Sequence, residues 1–369
     1  IFAGGQCELP CNVLYDHGVK NENLCLLYEG TKKSFVSINT PSGQSERFEV
    51  RNLVAQGSTW GPLMTSSSID TIGKDAQESG ENTYVYKKIA KIPPLSFVDD
   101  VAAITKCGPD SIITNAVINT QIQCKKLRFG ESKCHQMHIG PEAPGCPNLF
   151  VNERKNNQIM EKVSEDTYLG SIISNSCDNE KKLTKALNKG LGIVSVIMAM
   201  LKEISLGHYY FEIAALLRET LFMNAFLWNM ETWYNLRKAD LEEIEKIDRI
   251  LIKRILNVPS STPTALLYLE LGLIPLRYII QARRLTFLRY ILTRKDDDLL
   301  LKFFKAQLRE PSKNDWSETV KNDLEKKFNI KIEYLELRNI YNLKLSSVIN
   351  KSRLFVAYYL NGVRLIDNL

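Results

Sequence analysis

Lys91-Ile92-Pro93-Pro94-Leu95-Ser96-Phe97-Val98-Asp99-Asp100 is the stretch on which the fold turns. A strand-like apolar run ends there on two adjacent acids. Neighbouring carboxylates repel, and neither ionises comfortably without a counter-charge. A hard divalent cation removes that conflict, because Mg²⁺ takes one or two carboxylates and keeps water or phosphate oxygens in its other positions. Taken alone, an Asp-Asp pair is more often a solvated turn. The residues on either side give the metal reading its weight.

Immediately around the pair, Thr83–Tyr86 and Ile92–Val98 are expected to form the arms of a β-hairpin, with Asp99 and Asp100 just past the strand end. Upstream, a short helix from Leu9 to His17 stops at Gly18. Strands Leu24–Tyr28 and Ser34–Ile38, joined by Glu29-Gly30-Thr31-Lys32, follow it, then an alternating Arg47–Val50. Gly61-Pro62 opens a helix toward Gly73. Downstream come an amphipathic helix, Ser111–Leu127, and short strands near 134–139, 148–151 and 166–172.

From residue 178 the period becomes 3.6. Helices are predicted over Lys181–Met200, His208–Trp228, Ala239–Leu256, Thr264–Leu271, Leu276–Leu292, Leu299–Leu308 and Trp316–Lys327, with a helical tail from about Ile332. Pro259, Pro263, Pro275 and Pro311 punctuate them. The expected fold class is α+β.

Length and composition bound the alternatives. At 369 residues, 44% hydrophobic and 24% charged, the chain has the composition of a soluble globular protein with room for two or three domains. No run reaches the roughly 20 apolar residues of a membrane span, and Gly190–Leu201, which ends at Lys202, reads as a buried helix. No secretory signal is read at Ile1-Phe2-Ala3-Gly4-Gly5, and a start without Met raises the expectation that the chain begins mid-domain. Eight scattered cysteines with no CxxC favour reduced intracellular thiols. Cys134, His135 and His138, with Cys146 beyond, match no standard zinc spacing and read as strand residues on alternate faces. Charge is uneven: residues 171–369 hold 31 Lys and Arg against 23 Asp and Glu, whereas the first 170 hold 17 against 19. A basic second half suits a polyanionic partner.

A set of motifs in order now carries a family resemblance. Gly43-x-Ser45-x-x-Phe48, Val54-Ala55-Gln56-Gly57-Ser58-Thr59-Trp60-Gly61-Pro62-Leu63, Phe97-Val98-Asp99-Asp100, Leu127-Arg128-Phe129-Gly130-x-x-Lys133-Cys134 and Tyr168-Leu169-Gly170 follow one another. As a set over residues 9 to about 290 they resemble the reverse transcriptases of non-LTR (LINE-type) retrotransposons. The resemblance implies a partial polymerase palm and fingers (1–175), a helical thumb (176–260) and a helical C-terminal region (261–369). It implies an RNA template, a DNA primer and a dNTP as partners, and Mg²⁺ or Mn²⁺ as cofactor, held by Asp99 with Asp100 in support. Such a reaction is in-line displacement at an α-phosphate with metals clamping the attacking and leaving oxygens.

By the same resemblance Gln56, Gly57 and Phe97 line the nucleotide and template pocket, and Trp60 is either a stacking or a core residue. Lys133, in competition with Lys125 and Lys126, serves the pyrophosphate leaving group. Tyr168, Leu169 and Gly170 form the primer grip. Lys181, Lys185 and Lys189, at i, i+4 and i+8, put one basic helix face toward duplex phosphates. Arg283, Arg284, Arg289 and Arg294 form a second basic group. The family is nuclear when active, though no targeting signal is read here.

One part of the pattern is missing. The family's further metal-binding aspartate belongs upstream of Leu14-Tyr15-Asp16-His17-Gly18, and residues 1–13 contain none; Asp16 and Glu8 are poor substitutes. The expectation is therefore an incomplete site with little or no activity in this chain alone, through truncation or decay. The alternatives are a catalytically dead nucleic-acid-binding remnant and, further off, a viral replicase sharing the palm, which would carry Gly-Asp-Asp at the turn.

Overall fold

The computed structural model describes residues 8–32, 34–50, 62–63, 65–67, 69, 72–73, 84–124, 127–140, 147–152, 158–177, 179–203, 207–328, 330–339, 341–345, 352–360 and 363–368. Helices mix with small sheets in an α+β organisation, and the chain divides into two units, Ile1–Ser164 and Glu165–Leu369.

In the first unit, every sheet among the described residues is two-stranded. Isolated ribbons of that size are marginal in water, so packing must hold them. Helix Gly108–Cys124 provides it: Ile118 and Ile122 are buried with Ile69, Ile72 and Leu127, and Val101 and Phe129 pack against them. The helix starts where its sequence directs. Pro109 sits in the first turn, where no intrahelical N–H is required, and Asp110 lies at the positive end of the dipole. Buried Asn119 ties the helix to strand Phe150–Val151, donating to Phe150 O at 3.0 Å and accepting from Asn152 N at 3.1 Å.

The expected strand Leu24–Tyr28 is instead the middle of a helix, Glu22–Lys32. Leu24, Leu27 and Tyr28 stand at i, i+3 and i+4 and meet Cys11 and Leu14 of helix Glu8–Asp16. A short apolar run fits either period until its packing partner is known.

The second unit has the larger core. Val194, Ile197 and Leu201 of helix Glu180–Glu203 pack with Phe222, Phe226, Leu227 and Met230, with Ile244, Ile247 and Leu251 of helix Lys238–Ile255, and with Leu276 and Ile280 of helix Leu276–Leu292. Each such fully buried side chain contributes about 1.5–3 kcal/mol. Helix Glu180–Glu203 passes for a membrane span by length and composition. Here its Gly190 lies so close to the core that an added Cβ would stand 2.8 Å from the Phe226 ring. A π-helical segment, Arg218–Met223, places Arg218 in the interior, where Asp248 accepts from its Nε and Nη2 at 2.8 and 2.7 Å and from Tyr268 Oη at 2.8 Å. Buried charge is tolerated only when paired in this way. A satellite core of Ile291, Leu301, Phe304, Trp316 and Val320 follows.

The helical tail expected from Ile332 is a three-stranded antiparallel sheet, Ile330–Asn339, Ser352–Leu360 and Val363–Asn368. Its register shifts between Ile332 and Tyr334. An extra residue flips the phase of a strand. Apolar positions accordingly move from Ile330 and Ile332 to Leu335 and Leu337, and that break in alternation imitates a helical period.

Candidate functional site

Two short hairpins, one in each unit, carry the predicted acid pair and the predicted primer grip. In the first, Leu95–Phe97 pairs with Asp100–Ala102 in the register Leu95↔Ala102, Ser96↔Val101 and Phe97↔Asp100, leaving Val98 and Asp99 as a two-residue turn. Asp100 is thus in the returning strand, not past the strand end. Of the arms expected to pair, Thr83–Tyr86 and Ile92–Val98, the first meets the second at Ile92, whose N–H donates to Tyr84 O at 2.9 Å, while Val85–Tyr86 pairs with Ala90–Lys91. Pro93 and Pro94 explain the split, since a residue without an N–H cannot extend the ladder.

Val98 has φ +55°. Two-residue hairpins with positive φ at the first central position prefer glycine there, and a non-glycine residue so placed costs about 1–3 kcal/mol. Surrounding contacts must impose that conformation. Val101, next to Asp100, packs on the Ile118–Ile122 cluster and seats the hairpin on its helix. Phe97, Asp99 and Asp100 are exposed at the tip. Two exposed carboxylates suit a hydrated cation that retains positions for phosphate oxygens, as Mg²⁺ does. They do not make a closed protein cage, and among the described residues no group of three or more His, Cys, Asp or Glu is placed to hold a metal ion.

Lys133 ends a 3₁₀ turn, Glu131–Lys133, with its N–H donating to Gly130 O at 2.9 Å and its side chain exposed. Asn152 fastens this loop. Its Oδ1 accepts from Phe129 N at 3.3 Å, and its Nδ2 donates to Phe129 O at 3.4 Å and to Glu131 Oε1 at 3.3 Å. Burial pushes the pKa of the adjacent Cys134 thiol upward. Gln56, Gly57, Trp60, Lys125, Lys126 and Cys146 lie outside the described residues.

The second hairpin joins Glu165–Tyr168 to Ser171–Ser174 through Leu169 (φ +48°) and Gly170 (φ +79°). Two positive φ values in succession are what a type I′ turn requires. A Cβ on Gly170 would stand 3.4 Å from Trp228 Nε1, and Asn229 Nδ2 donates to Ser171 Oγ at 2.7 Å. Lys185 Nζ donates to Thr167 Oγ1 at 3.2 Å, and Lys181 Nζ lies 3.0 Å from Glu165 Oε2. Two of the three row lysines thus touch the hairpin, while Lys189 is exposed. Exposed contacts of this kind are worth 0–1 kcal/mol, so all three remain exchangeable for a phosphate.

Arg284 leaves the second basic group. It is buried, ion-paired with Asp323 and donating to Trp233 O at 3.3 Å. Arg289 and Arg294 are exposed, and the Arg294 guanidinium lies 3.9 Å from the centroid of the Tyr290 ring. Sequence reasoning also passed over Val98, Trp228 and Asn229. Only Asn229 offered a signal, since asparagine tolerates the left-handed φ of +61° it adopts.

Compared with protein-family models and with curated proteins, the chain matches none.

Proposed function

We propose that the chain supplies palm and thumb of an RNA-directed DNA polymerase of the non-LTR retrotransposon type, acting on an RNA template, a DNA primer and a dNTP. The strained Val98-Asp99 turn carries this reading: a two-residue hairpin holds two acids exposed at its tip and is seated on a helix. The order of the Gln56-Gly57, Asp99-Asp100, Lys133 and Tyr168–Gly170 motifs supports it.

In this role Asp99 is the metal ligand and Asp100 its support. Mg²⁺ or Mn²⁺, when bound, supplies the charge neutralisation that phosphoryl chemistry needs. Lys133 steadies the departing pyrophosphate, Gln56, Gly57 and Phe97 border the incoming nucleotide and template, Tyr168–Gly170 hold the primer end, and Lys181, Lys185 and Lys189 meet backbone phosphates. The basic excess of residues 171–369 favours a second reading, a nucleic-acid grip without catalysis.

Two acids without the upstream aspartate hold metal weakly. The expected result is salt-dependent binding of an RNA–DNA primer–template with little or no primer extension in Mg²⁺ or Mn²⁺. Fe²⁺ with ascorbate and peroxide should cut the backbone near residues 97–102, and Asp99→Asn should abolish the cut. Absence of both primer–template binding and the Asp99-dependent cut would overturn the polymerase reading. Binding with no cut would favour the non-catalytic grip. Robust Asp99-dependent synthesis by this chain alone would overturn the incompleteness of the site.

A further inference from the structure

The segment Asn229–Asn235 runs between the two cores of the second unit. Left-handed asparagines bracket it, Asn229 at φ +61° and Asn235 at φ +52°. Trp233 is buried in the main core, while Tyr234 packs against the satellite core that contains Trp316 and Val320. A short connection anchored in two close-packed cores cannot shift without moving its anchors.

On one side this segment meets the Glu165–Ser174 hairpin. Asn229 Nδ2 donates to Ser171 Oγ at 2.7 Å, and Trp228, the preceding residue, lies along the Gly170 turn. Tyr234 O accepts from Asn179 Nδ2 and the Tyr234 hydroxyl donates to Cys177 O, where the chain leaves the hairpin for helix Glu180–Glu203. On the other side stands helix Trp316–Phe328. Trp316 Nε1 donates to Glu231 O at 2.7 Å, and Thr319 Oγ1 accepts from Asn235 N at 3.1 Å.

The course of the segment is imposed by these neighbours. Glu231 and Trp228 border one groove against helix Leu276–Leu292, yet Glu231 Oε2 is closed off from solvent and has no hydrogen-bond partner among the described residues. A buried acceptor without a donor is costly, so the contacts on both sides must fix the chain there. The hairpin needs such a fixture. A two-stranded ribbon is marginal in water, and the bonds it receives from Lys181 and Lys185 are exposed and weak.

We propose that helix Trp316–Phe328 sets the position of the Glu165–Ser174 hairpin through this segment, with Asn229, Trp316 and Thr319 as positioning residues for the primer end. Trp316 acts at a distance, buried edge-on to Phe287 and Phe304 in the satellite core. The C-terminal helices are then part of the grip. That the hairpin holds a primer rests on the polymerase reading; that the segment holds the hairpin does not.

Hydrogen exchange and primer–template binding by the full chain test the two parts separately. Thr319→Val keeps the shape of the side chain and removes the acceptor of Asn235 N–H. It should speed exchange across Glu165–Ser174 about threefold, the scale of one hydrogen bond, and leave helix Lys238–Ile255 unchanged. Trp316→Phe, without the Nε1 donor, should speed the hairpin about tenfold. Thr319→Val and Ser171→Ala should each weaken binding of an RNA–DNA primer–template about threefold. The double variant should also lose about threefold, because both changes break one connection. Asn322→Ala, on the same helix but bonded only to Glu318 O, should change neither measurement. Unaltered hairpin exchange in Thr319→Val and in a folded Trp316→Phe, equal acceleration in the hairpin and in Lys238–Ile255, or a ninefold loss in the double variant would overturn the proposal. Faster hairpin exchange with primer–template binding absent or unaltered supports the hold of the segment and counts against the polymerase reading alone.

Discussion

Both hairpins close through a two-residue turn whose first residue is a non-glycine at positive φ, Val98 in one and Leu169 in the other, and they differ in what supports that turn. The acid hairpin turns through Val98, a β-branched residue in a conformation that suits glycine, and among the described residues its sheet has only two strands. The other turns through Leu169-Gly170, with the glycine at φ +79° and Trp228, Asn229, Lys181 and Lys185 against it. The first carries its strained residue on an exposed tip bearing acids; the second carries Leu169 on a hairpin fixed by side chains of the large helical core. Strain retained at an exposed turn is informative because packing elsewhere must maintain it.

Undermining the supported hairpin should have the largest effect. Asp248→Ala strands the buried Arg218 guanidinium and the Tyr268 hydroxyl, and should cost about 3–5 kcal/mol by urea denaturation. Hydrogen exchange should accelerate across Glu165–Ser174 and stay unchanged across Leu95–Ala102; equal acceleration in both would mean that the hairpins share one support.

Gly190→Ala tests the same core by overpacking. Alanine is the better helix former, yet its Cβ would meet the Phe226 ring at 2.8 Å and Ile247 Cγ2 at 3.1 Å. A loss of about 1–3 kcal/mol is expected, and a gain would mean that the ring moves aside freely.

The turns themselves should respond with opposite signs. Val98→Gly relieves strain and should stabilise by up to about 1 kcal/mol, net of the greater chain entropy of glycine. Gly170→Ala should destabilise by about 1–2 kcal/mol, through its positive φ and the Trp228 contact. Thermal melts of both variants decide the matter, and equal signs would remove the distinction between the hairpins.

The smallest effect is electrostatic. Hydrogen bonds from the Arg237 side chain hold the Asp240 carboxyl below its ordinary range, and those from Arg277 and Arg249 do the same for Glu242. Because these carboxylates are depressed in the folded state, their contribution is whole above about pH 5 and is lost progressively as pH falls further. Arg237 is exposed, so the Asp240 contribution is on the order of 0.5 kcal/mol. Asp240→Asn should flatten the acid limb of the stability profile by that amount.

Helices of the second unit were legible because their spacing and their prolines are local signals. Leu276–Leu292 follows Pro275 and coincides with its predicted span, and Lys238–Ile255 lies within a residue of it. The acid pair and the order of motifs could likewise be read directly. Elements whose identity depends on a remote partner could not. Leu24–Tyr28 became helical against Leu14, and Ile330–Asn339 became a strand against Ser352–Leu360.

The same division runs through the candidate sites. Residue order alone established that two acids follow an apolar run, that lysines recur every fourth residue after 181, and that the second half is basic. Three-dimensional packing established that Asp100 lies in the returning strand, that Arg284 is interior, and that Glu231 and Trp228 share one groove. The reason is physical. Periodicity and charge are properties of neighbouring residues, whereas strain, burial and an acceptor left without a donor exist only once distant segments remove water from one another.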